Sequence, residues 1–513
     1  MHRAIVIGAG IGGIAAAIRL QAAGYHVLLV EGRDQPGGRA GALQLGHYRF
    51  DMGPTLITAP DLLRELWALT DRELERDVVL SPLSPFYRIV FADGRTFDYW
   101  GDPERDEAEI ARIAPSDVKG YRAFLHATRR IYQRAFAELA GEPFDHLTTF
   151  LRIVPELLQL RAHESVYRFA SRYFQSPELR IVFSFHPLFI GGNPLRASAI
   201  YSIVPYLERQ GGVWFAHGGI QALVHAMVER FQALGGEVLL NAPVKQIIVR
   251  NGRIHGVQLA DTTIIPADIV VANSDVTKTW LQLIPPDARP WWTWRLPRLR
   301  YSMSCFLLYL GLKHRFPQLE RHTIMMPADY TGLLAQLFDG TTQLSELAFY
   351  LHAPATTDPS FAPAGQESLY ILVPVPHLGH LPLDWAAEAP AFRARILTTL
   401  EYVYGLQGIS NAIMTEAQFT PTDFATQLQS WHGAAFSIEP TLTQSAYFRP
   451  HNRARTIQGL YFVGAGTHPG AGIPGVLLSA AITSRLVQQD WPAPRSFRLS
   501  SPLPTGSQRA YGK

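Results

Sequence analysis

Residues 3–13 read Arg3-Ala4-Ile5-Val6-Ile7-Gly8-Ala9-Gly10-Ile11-Gly12-Gly13, and this stretch decides the fold. Arg3 to Gly8 is a short apolar run, the pattern of a strand buried on both faces of a parallel sheet. Gly8, Gly10 and Gly13 follow in the spacing GxGxxG, with Gly12 beside them. Ile14 to Ala23 predicts a helix that Gly24 stops, and Tyr25 to Glu31 predicts a second strand ending on an acid. A strand–turn–helix–strand unit of this kind holds a dinucleotide. Its glycines allow the tight turn, the close approach of a pyrophosphate and the packing of helix on strand. The helix N-terminus then offers unpaired amides and the positive end of its dipole to the phosphates.

Glu31 stands near the ~20-residue spacing of the acid that binds ribose hydroxyls, and its charge disfavours a 2′-phosphate. The next residues choose between NAD and FAD. Gly32-Arg33-Asp34-Gln35-Pro36-Gly37-Gly38-Arg39 can wrap a second face of a diphosphate, which a nicotinamide enzyme does not need. Phe50-Asp51-Met52-Gly53-Pro54-Thr55 adds another tight turn. The expected cofactor is FAD, with Gly8, Gly10, Gly12, Gly13, Glu31, Arg39, Gly53, Pro54 and Thr55 around it.

A second glycine-rich turn lies near the other end. Leu460 to Gly464 predicts a strand, Ala465 to Gly475 (AGTHPGAGIPG) a loop, and Val476 to Leu486 a helix, with Pro474 suited to its start. Gly470, Gly472 and Gly475 also match GxGxxG, but no further strand with a terminal acid follows. The expectation is therefore one flavin, with this helix N-terminus aimed at its pyrophosphate or ring. Gly464, Ala465, Gly466, Gly475 and Val476 would contact it, and a positive dipole end there favours the reduced, anionic ring. His468 is the titratable side chain of this loop, either structural or beside the flavin.

The chain has 513 residues, 47% hydrophobic and 17% charged. The charged share lies below the usual ~25%, which excludes general disorder and points to apolar surface lining a cavity or facing lipid. Basic and acidic residues number 46 and 43, without a basic stripe, so nucleic acid is not an expected partner. The single cysteine, Cys305, leaves no internal disulfide and no cysteine-built metal site, and no metal is expected. The charge-free stretches Ala4–Ile18 and Thr456–Ser484 are too glycine-broken to span a bilayer. The expected location is cytoplasmic with peripheral membrane contact.

The motifs GAGIGG, RxxPGGR and FDxGPT, with Glu31 between, resemble the flavin amine-oxidase and carotenoid-desaturase superfamily. VGAGTHPGAGIPGV (463–476) is similar to the signature of bacterial and fungal phytoene desaturases. So are FSFHPLFIGGNP (183–194), VWFAHGGIQAL (213–223), YLHAP (350–354) and GAAFSIEPTLTQSAYFRPHN (433–452). The resemblance spans about residues 1–486. It implies FAD-dependent desaturation of phytoene to neurosporene or lycopene. Hydride departs to the flavin from a carbon flanked by double bonds, and a proton is then lost from its neighbour. The partners it implies are a long polyene hydrocarbon, a membrane lipid surface, and oxygen or a quinone as electron acceptor. It also implies that Val244 touches adenine through its backbone and that Arg152 lies near the flavin; Glu439 and His468 are secondary catalytic candidates. Some family members carry an aspartate three residues before that arginine, where this chain has Thr149. A later-pathway desaturase, a diapophytoene desaturase, a redox-neutral carotenoid isomerase and a non-catalytic flavin or carotenoid carrier remain as alternatives.

The expected fold is α/β: a Rossmann-type FAD-binding domain from residues 1–75, 215–280 and 455–490, interleaved with a mixed α+β substrate domain from 76–214 and 281–454. Residues 105–200 are expected to be mainly helical and membrane-associating, and 491–513 to be a flexible tail. Within Pro143–Phe174, leucines and aromatics at helical spacing interleave with Arg152, Arg161, Arg168 and Arg172, which suits headgroup contact. Trp291, Trp292 and Trp294 form a second interfacial candidate.

Overall fold

The computed structural model describes residues 2–340 and 344–492. Strand β1 (Arg3–Ile7), helix α1 (Ile11–Ala22) and strand β2 (His26–Val30) form the unit expected from the sequence. Three later segments complete a five-stranded parallel sheet in the order Glu237–Leu239, β2, β1, Ile269–Ala272, Leu460–Phe462. Alternate residues of β1 enter different cores, which is why the run is apolar throughout. Ala4 and Val6 pack with Ile14, Leu223 and Leu477 from three helices. Ile5 and Ile7 pack with Ile247, Val257 and Trp280 on the opposite face. That second face is covered by a three-stranded antiparallel sheet whose first turn is Asn251-Gly252, both in the left-handed region.

The rest of the chain builds a seven-stranded mixed sheet. Its order is Ile413–Phe419, Ser304–Leu312, Glu367–Val375, Phe349–His352, His322–Met326, Tyr87–Phe91, Thr96–Tyr99. The one parallel neighbour pair is His322–Met326 with Tyr87–Phe91. Side chains alternate across this sheet. Phe306 packs outward against Trp385 (tilted) and Phe392 (edge-on) of the Trp385–Tyr402 helix, at ring distances of 5.5 and 5.1 Å. Cys305 and Leu307 face the other way, into a cavity.

Helices dominate the segment 103–182, including Pro103–Ile113, Val118–Ile131 and Leu147–Gln159. Residues 143–174 hold the long helix Leu147–Gln159 and the short helix Val166–Ala170. The C-terminal helix runs Ile473–Asp490, longer at both ends than its apolar core announces, with Pro474 in its first turn. Trp491 is buried and accepts a hydrogen bond from the Tyr25 hydroxyl at its carbonyl. The tail expected over 491–513 lies, from residue 493, outside the described residues.

Candidate functional site

The glycine turns near the two ends of the chain meet. A Cβ built on Gly12 would stand 3.3 Å from the Gly464 Cα and 3.3 Å from the Val476 Cβ. Both adjoining helices begin on a glycine, Gly10 and Gly472, with no side-chain cap and no acid in the first turn. Their first amides stay free for a ligand, and both N-termini open into one cleft. Asn273, just past the end of the Ile269–Ala272 strand, ties the turns together by donating from Nδ2 to the Gly8 carbonyl at 3.2 Å. Asn273 escaped the sequence reading. The signal for it was its place after a parallel strand's carboxyl end, where open α/β sheets bind ligands.

Of the residues expected around the cofactor, Gly8, Gly10, Gly12, Glu31, Arg39, Gly53, Pro54, Thr55, Val244, Ala465, Gly475 and Val476 line this cleft. Gly13, Gly464 and Gly466 do not, because they serve packing. A Cβ on Gly13 would sit 2.1 Å from the Gly8 carbonyl oxygen, and one on Gly466 would sit 2.8 Å from Val276 Cγ1. Glu31 is buried and its carboxylate accepts from the Ala9 amide at 2.7 Å and the Arg33 amide at 3.0 Å, which fixes the ends of β1 and β2. Arg39 donates from Nη2 to the Ser430 hydroxyl at 2.7 Å, while its buried Nε has no partner among the described residues. Burial holds this guanidinium below its usual range, with Asp275 opposing the shift. Asp51 joins the FDxGPT turn to the Gly219–Ala233 helix by accepting from the Ile220 amide at 2.9 Å. Burial pushes its carboxyl up to about 7. Two open helix N-termini, an acid at the end of β2 and an arginine with an orphaned buried nitrogen fit a dinucleotide.

The cleft opens into an apolar space, and together they form a continuous cavity of about 1170 Å³. The seven-stranded sheet is its floor. Directly paired residues Cys305 and Pro374 form one row, and Leu307, Leu372, Tyr350 and Ile324 form the next. Phe150, Ile153 and Leu157 of the Leu147–Gln159 helix close another side.

The catalytic candidates fare differently. His468 is buried and lines the cavity, its ring edge-on to Phe144 at 5.3 Å. Burial, then the neighbouring Arg449, lowers it to about 3, so it is neutral. Neither ring nitrogen makes a well-formed hydrogen bond, the nearest partner being the Glu142 backbone. Arg152 does not line the cavity. The helix turns about 100° per residue, and with Ile153 inward Arg152 is exposed. Glu439 is fully buried but also outside the lining, held by the Asn193 amide and Arg196, each at 3.4 Å. Burial raises its carboxyl and Arg196 opposes the rise. Arg152 thus sits on an outer helix face and Glu439 in a buried ion pair, both outside the cavity lining.

Two features of the site carried no sequence signal. Among the described residues, buried Arg449 has no carboxylate partner and donates to the carbonyls of Thr467, Gln444, Ile438 and Ala465. Glu208 is buried at the cavity wall, accepting from the Tyr87 hydroxyl at 3.1 Å. Burial pushes its carboxyl from 4.5 up to about 8. A carboxyl raised on folding contributes stability that is full below its unfolded pKa and is lost as pH rises through the folded one. Glu208→Gln should therefore match the native chain below about pH 4.5 and gain on it up to about pH 8, at most by about 1.4 kcal/mol per pH unit. Thermal unfolding of both proteins across this range checks the prediction.

A dinucleotide cleft opening straight onto an apolar cavity is the arrangement of a flavoprotein oxidoreductase. A family model for flavin containing amine oxidoreductases matches residues 11–488. The lycopene-forming phytoene desaturase of Paracoccus sp. (strain N81106 / MBIC 01143) is 46% identical, over 95% of this chain and 97% of its own. The neurosporene-forming phytoene desaturase of Rhodobacter capsulatus is 41% identical, over 97% and 95%. An oxidoreductase from Methanosarcina mazei shares the fold with a TM-score of 0.64 at 15% identity, covering 93% of this chain and 98% of that one. The chain belongs to the flavin containing amine oxidoreductase family, and its cofactor is FAD.

Proposed function

We propose that this protein is an FAD-dependent carotenoid desaturase that converts phytoene to neurosporene or lycopene. The observation that carries this reading is the continuity of the dinucleotide cleft with a cavity floored by paired apolar strand residues. The named relatives act in the same sense, as phytoene desaturases. When bound, FAD supplies a two-electron acceptor for hydride.

The chain's own residues do the rest. Glu31 and the open amides after Gly10 take the adenosine and diphosphate end, and Val244 offers its backbone to the adenine. Arg39 and the Gly472–Gly475 turn hold the far side. The rows from Cys305 to Ile324 lay the hydrocarbon along the sheet and exclude water, so that alignment rather than a strong base lowers the barrier. Among the cavity histidines, His468 is neutral, which keeps a positive charge away from a developing carbocation. Oxygen or a quinone is the final electron acceptor.

The substrate reaches this cavity from a lipid surface. No described helix is long and apolar enough to cross a membrane. The Leu147–Gln159 helix is nevertheless apolar on two faces. Phe150, Ile153 and Leu157 face the cavity, while Leu147, Leu151 and Leu158 are exposed, the last two by 56% each. Exposed Trp291 and Trp294 add interfacial rings. All four arginines expected at headgroups are exposed, and two of them, Arg161 and Arg172, also pair with Glu164. The double variant Leu151→Asp/Leu158→Asp should lose at least tenfold in liposome flotation, about 1.4 kcal/mol or more, with unchanged FAD content. Equal flotation of variant and native protein would refute the lipid contact.

The functional test is co-expression in cells that accumulate phytoene, followed by pigment analysis. Red lycopene or yellow neurosporene supports the reading, and persistence of colourless phytoene beside FAD-loaded protein refutes it.

A further inference from the structure

The sheet beneath the cavity carries a band of hydrogen-bonding aromatic residues that the apolar reading leaves unused. His322 pairs directly with His352, His352 with Tyr370, and Tyr370 with Tyr309, so the four stand in one row across four strands. The two imidazoles stack at 4.8 Å with 6° between their planes, and the two phenols at 5.4 Å. Nε2 of both histidines and the Tyr370 hydroxyl are buried with no hydrogen-bond partner among the described residues. In the next row, Tyr350 reaches this band. Its hydroxyl lies 2.7 Å from His322 Nδ1 and is also hydrogen-bonded to Thr55 Oγ1. Tyr350 and Thr55 both line the cavity, and Thr55 belongs to the FDxGPT turn of the cofactor cleft. Tyr350 thus stands where the cleft meets the hydrocarbon space, hydrogen-bonded to a turn on one side and to a buried imidazole on the other.

We propose that Tyr350 is the catalytic residue that receives the substrate proton, with His322 as the positioning residue that accepts the tyrosine's own proton through Nδ1. The proposal rests on the desaturase reading. Once a hydride has left with both electrons of its C–H bond, the neighbouring C–H bond breaks. Its electron pair becomes the new double bond, its proton joins the Tyr350 oxygen, and the Tyr350 proton moves to His322. That proton leaves when the two electrons pass on to oxygen or a quinone, which takes up protons as it is reduced. A neutral imidazole has one acceptor nitrogen to offer, and a distance of 2.7 Å is within general-base reach. Burial keeps His322 well below the usual imidazole range and keeps the Tyr350 phenol above its own. The resting pair is therefore neutral, and an imidazolium formed there gives up its proton readily. A second cluster on the wall, Tyr87 with His186 and Glu208, is the rival. Among the described residues its side-chain hydrogen bonds stay within the cluster and reach no cofactor turn, and Glu208 holds its own proton at neutral pH.

The test uses FAD-loaded protein in liposomes with substrate deuterated separately at the hydride-losing and the proton-losing carbon. Tyr350→Phe should lower kcat about tenfold or more, with KM and FAD content unchanged. A deuterium effect at the proton-losing carbon, absent in the native enzyme, should appear in this variant and in His322→Gln. In the resting protein, 15N-labelled histidine should show a hydrogen-bonded His322 Nδ1 whose signal shifts in Tyr350→Phe. Native turnover in both variants overturns the proposal. So does slowing with sensitivity only at the hydride-losing carbon, or a new effect in Glu208→Gln instead. An active native enzyme with insensitive variants defeats the relay alone, whereas a native enzyme that desaturates no long polyene defeats the functional reading and the relay with it.

Discussion

Gly13→Ala should yield a protein that purifies with less than about a tenth of the native FAD content, equivalent to a loss above about 1.4 kcal/mol in binding. The methyl group would stand 2.1 Å from the Gly8 carbonyl oxygen, against an ordinary contact of ~3.5 Å. That oxygen is backbone, tied to Asn273 Nδ2 at 3.2 Å, and cannot swing aside. Helix α1 must therefore lift from β1, carrying its N-terminus away from the cleft. Overpacking of this kind also costs about 1–3 kcal/mol of stability or more. Gly13 does not line the cleft, so its effect is indirect. Absorbance of bound flavin and a thermal melt check both parts, and native FAD content in this variant would show that the packing of α1 does not govern the cleft.

The reach of the sequence follows the range of the interactions. The first sixty residues were legible because glycine spacing, a terminal acid and an apolar run are local demands of one strand–turn–helix–strand unit. The C-terminal turn was legible for the same reason, and Gly12 against Gly464 and Val476 shows the two turns in contact. Local demands do not say which glycine faces a ligand and which a backbone, and Gly13 meets the Gly8 carbonyl rather than the cleft. The resemblance that points to Arg152 carries no helix phase and no burial. Phe150, Ile153 and Leu157 claim the inner face and leave Arg152 outside, and Arg196 claims Glu439. The Tyr350–His322 contact joins residues 28 apart through strand register, which no spacing announces.

The other large effect is expected at Arg449. Arg449→Met keeps much of the side-chain volume but strips donors from the carbonyls of Thr467, Gln444, Ile438 and Ala465, at 2.7 to 3.3 Å. Each buried carbonyl left unpaired costs about 1–3 kcal/mol. Relief from burying a cation without a carboxylate offsets part of this, since burial already holds the guanidinium below its usual range. A net loss of about 3 kcal/mol is expected, on the scale of breaking a buried charged contact. Thr467 and Ala465 lie in the loop that leads to Gly475, so FAD should dissociate more easily as well. Arg449→Lys should recover only part, because a single ammonium cannot span the acceptors that a planar fork reaches. Unfolding and FAD release measured on both variants decide the point. Native values for Arg449→Met would mean that the loop holds itself.

The claim beneath all of this is that one flavin, gripped by both ends of the chain, borders the space that takes the hydrocarbon. The direct measurement is anaerobic mixing of the FAD-loaded protein with phytoene in liposomes, following flavin absorbance and polyene composition together. The account predicts bleaching of the oxidised flavin, with one new carbon–carbon double bond for each flavin reduced. Flavin that stays oxidised over unchanged phytoene, in protein carrying its full complement of FAD and bound to the liposomes, would contradict it.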